Sequence, residues 1–358
     1  MGEFYCPLHI YVGLDALNVL KGYSAKAALL VTDRFFSENG MAKAVAARLP
    51  GCRVEIFDRV TPDPTAALAA GGAAVCRRLK PELLIALGGG SPMDCAKAIR
   101  MASEMPMTFV AIPTTSGSGA EVTSFSILTH QGVKHPLVDP ALRPDVAILD
   151  PMFLEALPPK LIADTGMDLL AHCVEAVAAT GATAFSDALA HGAASLAFQS
   201  LERSYRGDTS VRLSLHQAAT MAGMAFDSAG LGILHALAHS LGGALHLPHG
   251  RLCAMLLPAV LAVNAPKAQA AYARLARACG VTAASDHLAL RGLSSAIVRL
   301  RRALDLPGTL WEAGVDRADY QKKREDILRA ARADPCCQTN PVPVTARELQ
   351  QVMKAVAP

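Results

Sequence analysis

The sequence predicts a chain in two parts, an α/β half built on a parallel sheet and an all-α half that follows it. Three observations lead there. A theme of short apolar strand, turn and helix recurs from residue 27 to about 150. No strand-like apolar run follows Pro151, and the 358 residues exceed the size at which a single core stops growing.

The strands are expected at Ala27 to Thr32, Val54 to Phe57, Leu83 to Leu87, Phe109 to Ile112 and Val146 to Leu149, each bounded by Asp, Gly or Pro. Alanine-rich segments between them, Ala42 to Leu49, Ala66 to Leu79 and Met93 to Ala102, read as helices. Beyond Pro151 the helical runs are Ile162 to Ala179, Ala184 to Tyr205, Val211 to Asp227 and Ala268 to Cys279. Pro158-Pro159 would stop one helix before the next begins, so the boundary falls near 151 to 160 and the expected domains are 1–155 and 156–358.

Hydrophobic residues make up 52% of the chain and charged residues 18%, which excludes disorder and suits a compact protein with much interior. The net charge of +3 is small, and no basic stripe with aromatics accompanies it, so nucleic acid is not expected as a partner. Lys322, Lys323 and Arg324 read as a solvated helix face. Met1 to Pro7 lacks the pattern of a signal peptide and no apolar run reads as a bilayer span, so the expectation is a cytoplasmic protein without a membrane partner. The nine cysteines stand singly apart from Cys336-Cys337, with no Cys-x-x-Cys spacing, which fits reduced thiols better than a disulfide framework.

Leu83 to Leu87 runs directly into Gly88-Gly89-Gly90-Ser91-Pro92-Met93-Asp94 and then into a helical run. Glycines allow positive φ and close approach of a ligand to the backbone; Ser91 is expected as N-cap, Asp94 as its capping-box partner and Pro92 at the first helical position. A helix N-terminus presented in this way can bind phosphate, though the same motif also serves as a plain capped turn. A second polar glycine segment, Pro113 to Thr123, follows the next strand, so two adjacent strand ends carry phosphate-friendly loops on the crevice side of an open sheet. Asp33, at the end of the first clear strand, is placed to accept from an adenosine ribose and to repel a 2′-phosphate, favouring NAD over NADP. It suits a turn or a helix N-cap equally well.

Asp168 and His172 lie four residues apart, as do His235 and His239, and a helix puts each pair on one face. His249 follows in Pro248-His249-Gly250, and of the 11 histidines four fall between 235 and 249. Paired ionisable groups in otherwise apolar helices cost several kcal/mol each unless they are partnered or metal-bound. Asp168, His172, His235 and His249 together suit a borderline divalent ion such as Fe²⁺ or Zn²⁺. His246 is near in sequence but would have to point inward from a turn. His9, His130, His135, His191, His216 and His287 have no partner pattern.

With these motifs, Gly88 to Asp94, Pro113 to Thr123, Thr165 to His172 with Glu175, and Gly230 through His235, His239, His249 and Pro258, the chain resembles the iron-containing (group III) alcohol dehydrogenases over nearly its whole length. Thr61 to Thr65, Ala222 to Phe226 and His246 to Gly250 make it most similar to the propanol dehydrogenases of bacterial microcompartments. The resemblance implies an N-terminal NAD-binding domain and a C-terminal helical metal-binding domain, on the plan shared with dehydroquinate synthase, with a cleft between them. It implies metal ligation by Asp168, His172, His235 and His249, with His239 beside the metal and nicotinamide as a proton relay. Pyrophosphate contacts carry over to Gly89, Gly90, Ser91 and Asp94, further cofactor contacts to Thr114, Thr115, Ser118 and Lys134, and NAD selection to Asp33. Ser118, Ala120 and Val342 depart from the residues common in the family, without removing a ligand.

The expected activity is interconversion of a short primary alcohol and its aldehyde, of the propanal and 1-propanol type, with NAD and Fe²⁺, Zn²⁺ being the alternative ion. A homodimer or higher oligomer is expected, with a microcompartment shell or an aldehyde dehydrogenase as candidate partners and the microcompartment interior as a candidate location. The rival readings are a zinc-dependent polyol dehydrogenase or dehydroquinate synthase-like enzyme, and a non-catalytic microcompartment interaction protein; the intact ligand set weighs against the last.

Overall fold

The computed structural model describes residues 4–130 and 133–358, the side chains of 133 and 134 excepted. By compactness, Cys6–Leu157 forms one unit and Pro158–Pro358 the other, and Phe4 and Tyr5 group with the second. Phe4 stacks on Phe185 of the helical unit, ring centroids 5.6 Å apart.

The first unit runs β1 (His9–Val12), β2 (Ala27–Asp33), α1 (Arg34–Glu38), α2 (Met41–Ala46), β3 (Arg53–Val60), α3 (Ala66–Leu79), β4 (Leu83–Gly88), α4 (Gly90–Ser103), β5 (Thr108–Pro113), β6 (Phe125–His130), β7 (Val133–Val138) and β8 (Val146–Leu149). Six strands form a parallel sheet in the order β1-β8-β5-β4-β2-β3, so the expected fold class holds for this half. Strand period explains the layers. Leu29, Val31, Leu84, Ala86, Phe109 and Ala111 pack on one face with α3 and α4, while Ala28, Leu30, Leu83, Ile85, Val110 and Ile112 pack on the other with α2. Strand β1 and the antiparallel hairpin β6-β7 were not expected; both are short, and β7 carries Pro136.

Strand order reverses between β2 and β4, since β3 lies outside β2 while β5 and β8 continue from β4. Ligands in open α/β sheets bind at such a switch point, beyond the carboxyl ends of the strands. Asp33 ends β2, Gly88 ends β4, and Pro113 pairs with Gly88 at the end of β5.

The second unit is helical, as expected: α5 (Pro159–Ala178), α6 (Ala184–Tyr205), α7 (Arg212–Ala229), α8 (Ile233–Leu245), α9 (His249–Ala278), α10 (Asp286–Ala303), α11 (Arg317–Ala333) and α12 (Ala346–Val356). Pro159 takes the first position of α5, where its missing N–H is no loss. Helix α5 is buried along almost its whole length between α6, α7 and α9, and Asp164, Asp168, His172 and Glu175 are buried with it. Contrary to the expectation above, α9 is long and apolar enough to cross a membrane by length and composition. Most of that surface is spent on packing against α5, α8, α10 and α12.

Close approach of α9 to α5 has a residue-level cause. A Cβ on Gly250 would stand 1.9 Å from the backbone oxygen of Asp164, so only glycine lets the two helices meet there. One residue later Arg251 clamps Asp164 with two bonds, at 3.2 and 2.9 Å. This contact brings His249 beside Asp168, one turn after Asp164. Gly250→Ala is therefore expected to destabilise the protein by about 1–3 kcal/mol through overpacking. Chemical denaturation followed by helical circular dichroism checks this; an unchanged midpoint would remove the close approach as a determinant.

Candidate active site

In the α/β unit, β4 passes into α4 through Gly88, whose backbone and surroundings both demand glycine: its φ is +148°, and a Cβ there would lie 2.4 Å from Pro92 Cγ. The expected cap is corrected here. Gly89, not Ser91, is the N-cap; Gly90 takes the first helical position, Ser91 the second and Pro92 the third, and no side-chain cap forms. Glycine enters the helix directly, which leaves Asp94 inside the second turn rather than in a capping box. The N–H groups of Gly90 and Ser91 consequently stand in the first turn, where no intrahelical acceptor exists, and the helix dipole favours an anion.

The loop after β5 lies against this turn. Thr114 N–H donates to the Gly88 carbonyl at 3.0 Å, a Cβ on Gly89 would be 3.1 Å from Thr115 Oγ1, and one on Gly90 would be 3.6 Å from Ser118 Cβ. Gly89, Gly90, Ser91, Thr114, Thr115 and Ser118 are thus brought together, and a Cβ on Gly89 would crowd Thr115. Asp33 N-caps α1, its Oδ1 accepting from Phe36 N–H at 3.1 Å, which realises the cap reading and engages one oxygen of the carboxylate. Lys134 sits on β7 opposite Thr129, and its side chain lies outside the described residues.

Lys97, which no sequence motif singles out, fastens the same region. Fully buried in α4, its Nζ donates to Thr123 O (2.8 Å), Thr123 Oγ1 (3.1 Å) and Phe125 O (2.6 Å), so the ammonium is satisfied and the loop that carries Thr114 to Ser118 is tied to the helix.

In the helical unit three helices each present a pair four residues apart: Asp168 and His172 on α5, His235 and His239 on α8, His249 and Cys253 on α9. Asp168 Oδ1 is the meeting point. It stands 3.3 Å from His249 Nε2, 3.6 Å from His235 Nε2 and 3.8 Å from His172 Nε2, and Cys253 Sγ is 3.4 Å away. Asp168, His235, His249 and Cys253 form a group whose donor atoms all lie within 4.8 Å of one another. His172 stacks between Phe226 and His235, with centroids 4.3 and 4.6 Å apart. All four expected ligands are brought together, whereas His246 caps α8 and is exposed.

Metal bonds of about 2.0–2.3 Å place tetrahedrally disposed donors about 3.3–3.7 Å apart, so the spacings around Asp168 suit a divalent cation. The electrostatics agree. Burial opposes the charge on Asp168, but the imidazoles of His172 and His249, with His235 close by, outweigh it and hold the carboxyl well below the usual range. Burial likewise opposes a charged His235, yet Asp168 and Glu175 raise it to about 9: this pocket favours positive charge. His235 Nε2 is buried and has no hydrogen-bond partner among the described residues.

Glu175 explains which nitrogen is free. Its Oε2 meets His235 Nδ1 at 2.7 Å and accepts from Gly232 N–H at 2.8 Å, while Oε1 accepts from Leu234 N–H at 2.7 Å. The carboxylate therefore orients the ring and caps α8 at once. Asn340 completes the cap, accepting from Ile233 N–H at 3.1 Å and pairing reciprocally with Asn264. His239 is held differently, with Nδ1 2.9 Å from Asp334 Oδ2. Burial, reinforced by His249 and His235, lowers its pKa against the pull of Asp334, so the ring is biased toward the neutral form that can pass a proton. Cys253 was legible as the fourth residue after His249, a signal the histidine pattern overshadowed. Glu175 in its carboxylate role and Asp334 had no local signal.

Comparison with known proteins places this site in a family. Residues 7–151 match the iron-containing alcohol dehydrogenase profile, and residues 162–357 the C-terminal part of the Fe-containing alcohol dehydrogenase family. The chain is 40% identical to the 1-propanol dehydrogenase PduQ of Salmonella typhimurium over 367 residues, 99% of each protein. It is 34% identical to an NADPH-dependent butanol dehydrogenase of Clostridium saccharobutylicum, covering 99% of this chain and 98% of the other. Among solved structures it superposes on a 1,3-propanediol oxidoreductase (TM-score 0.91, 32% identity, 99% of each chain). It also superposes on the sulfoacetaldehyde reductase of Bifidobacterium kashiwanohense in complex with NAD⁺ (TM-score 0.90, 25% identity, 100% and 99%). The chain belongs to the iron-containing alcohol dehydrogenase family. It is an oxidoreductase of alcohol and aldehyde chemistry.

Replacing Glu175 by Gln keeps the shape but removes the charge behind His235. Metal affinity is expected to fall about 10–100-fold, as for other partners behind metal-ligating histidines. Titration against a chromophoric chelator reads this, and an unchanged affinity would contradict the orienting role.

Proposed function

We propose that this chain interconverts 1-propanol and propanal, or a near homologue, with NAD(H) and a divalent metal held by Asp168, His172, His235 and His249. The observation that carries the reading is the convergence of three imidazoles on the buried Asp168 carboxylate, in a family of alcohol dehydrogenases. The substrate is supported by the full-length likeness to a propanol dehydrogenase. When bound, the metal supplies Lewis acidity to the substrate oxygen and the nicotinamide exchanges hydride with the substrate carbon.

The chain's own residues divide the remaining work. Asp168 contributes the one negative donor, and Glu175 holds His235 with Nε2 forward. His239, its Nδ1 engaged by Asp334, has Nε2 left to take the alcohol proton and return it in the reverse direction. Gly89, Gly90 and Ser91 cradle the cofactor pyrophosphate at the start of α4, Thr114, Thr115 and Ser118 flank it, and Asp94 and Lys134 complete the set. Asp33, with one oxygen spent on the α1 cap, offers the other to the adenosine ribose. A homo-oligomer that works beside an aldehyde dehydrogenase in a microcompartment is the cellular setting that the propanol dehydrogenase resemblance supports.

Purified protein loaded with Fe²⁺ or Zn²⁺ is expected to oxidise NADH on addition of propanal. His249→Ala should lose metal and activity together, whereas His239→Ala should keep its metal and lose about 10²–10⁴-fold in turnover. A His249→Ala protein with full metal content would sink the ligand assignment. For the cofactor, Asp33→Gly should erode the preference for NADH over NADPH, measured as the ratio of the two kcat/KM values. A ratio that does not move would remove Asp33 from cofactor choice.

A further inference from the structure

Two of the contacts that hold α8 come from one short piece of chain. Asp334 and Asn340 cap the two ends of a five-residue 3-10 helix, Pro335–Thr339. Asp334 spends Oδ1 on that cap, accepting from Cys336 N–H at 2.8 Å, and holds Oδ2 2.9 Å from His239 Nδ1. At the other end Asn340 Oδ1 accepts from Ile233 N–H at 3.1 Å, and Thr339 Oγ1 donates to Leu231 O at 2.7 Å. The segment therefore grips α8 at its start and again at His239, with His235 between the two grips. The fit is close: a Cβ on Gly230 would stand 2.4 Å from Thr339 Oγ1, and one on Gly232 2.5 Å from Asn340 Oδ1.

What holds the segment is an amide pair. Besides Ile233, Asn340 Oδ1 accepts from Asn264 Nδ2 at 3.0 Å, while its Nδ2 donates to Asn264 Oδ1 at 2.9 Å and to Val342 O at 2.7 Å, which uses the whole capacity of the amide. Thr180 N–H, just past α5, donates to Thr339 O at 2.8 Å. Asn264 is 1% exposed and lies on α9, about four turns after His249. Amides buried so deeply gain little net stability over apolar side chains of the same shape; a fully satisfied pair instead specifies one arrangement. We propose that Asn264 and Asn340 are positioning residues of the active site: through the Asp334–Asn340 segment they fix the rings of His235 and His239 relative to each other and to α9. The inference rests on the reading that these two rings serve as metal ligand and proton relay.

The test compares wild type with Asn264→Ala by nuclear magnetic resonance of protein carrying nitrogen-15 in its histidines only, with and without zinc. The expected result is that the ring signals of His235 and His239 shift or double, while those of His191 on α6 and His287 on α10 stay in place. Turnover of propanal per bound zinc should fall about 10–100-fold, as for other residues that support a site from behind, with KM for NADH unchanged. Thr339→Val keeps the shape and loses only the hydroxyl bond to Leu231; it should move the same two rings, and it carries the test if Asn264→Ala does not fold. Rings that stay in place in the folded variants overturn the proposal, and so does a displacement shared by all the histidines, which would mark general loosening. A wild-type protein that reduces no propanal overturns the function proposed above, while the ring signals, recorded without turnover, still decide the role of the amide pair.

Discussion

Asp168 is only 7% exposed, and an ionised carboxylate in such a place is tolerable only with compensating charge or donors. Much of the helical unit can be read as the means of supplying that compensation. Helices α5, α8 and α9 converge on one carboxylate oxygen, and each approach is secured by a polar contact that would be costly to break. Glu175 joins α5 to the start of α8; Arg251 joins α9 to Asp164 on α5. The two contacts lie on α5 about two turns after Asp168 and one turn before it, so the positions of His235 and His249 are fixed by the same helix that bears the carboxylate. Burial pushes Asp164 up, with Arg251 pulling against it, so even this clamp spends desolvation to hold geometry.

The start of α8 shows how closely fold and chemistry are joined. Gly232, the residue at the cap position, has no side chain to satisfy the first N–H groups of the helix. Side chains distant in sequence do so instead, and one of them, Glu175, also faces the ring of His235. A helix capped from within its own first turn would free that carboxylate for a different arrangement. Because one carboxylate serves both the cap and the ring, Glu175 cannot move away without releasing the backbone donors and His235 Nδ1 together.

How much of this was legible follows from the range of the interactions. The strands of the sheet and the pairs Asp168 with His172 and His235 with His239 are periodic signals within a few residues, and they survive into the fold as read. The Ser91 cap failed for a local reason: three consecutive glycines let the chain turn into the helix before a polar cap was needed. The hairpin β6-β7 offered too short and too mixed a pattern. Glu175, Asn340 and Asp334 were beyond reach because their partners lie 57, 107 and 95 residues away, and nothing near them in sequence records the contact. Resemblance to a family located the histidines, but only the folded chain displays the carboxylates behind them.

The two histidines of α8 differ through those carboxylates. Both offer Nδ1 to an acid, Glu175 for His235 and Asp334 for His239, so both present Nε2 outward from that bond. For His235 a second acid, Asp168, faces the other nitrogen at 3.6 Å, and the ring is drawn toward positive charge. His239 lacks that second acid; its ring stacks on His249 at 5.3 Å, and burial, with the charge of its neighbours, holds it toward neutrality. On the function proposed above, an ion among the Asp168 donors would take the place of the proton on His235 Nε2, while His239 would keep its own Nε2 for the alcohol proton, and the difference between the two rings comes from one carboxylate rather than from the histidines themselves.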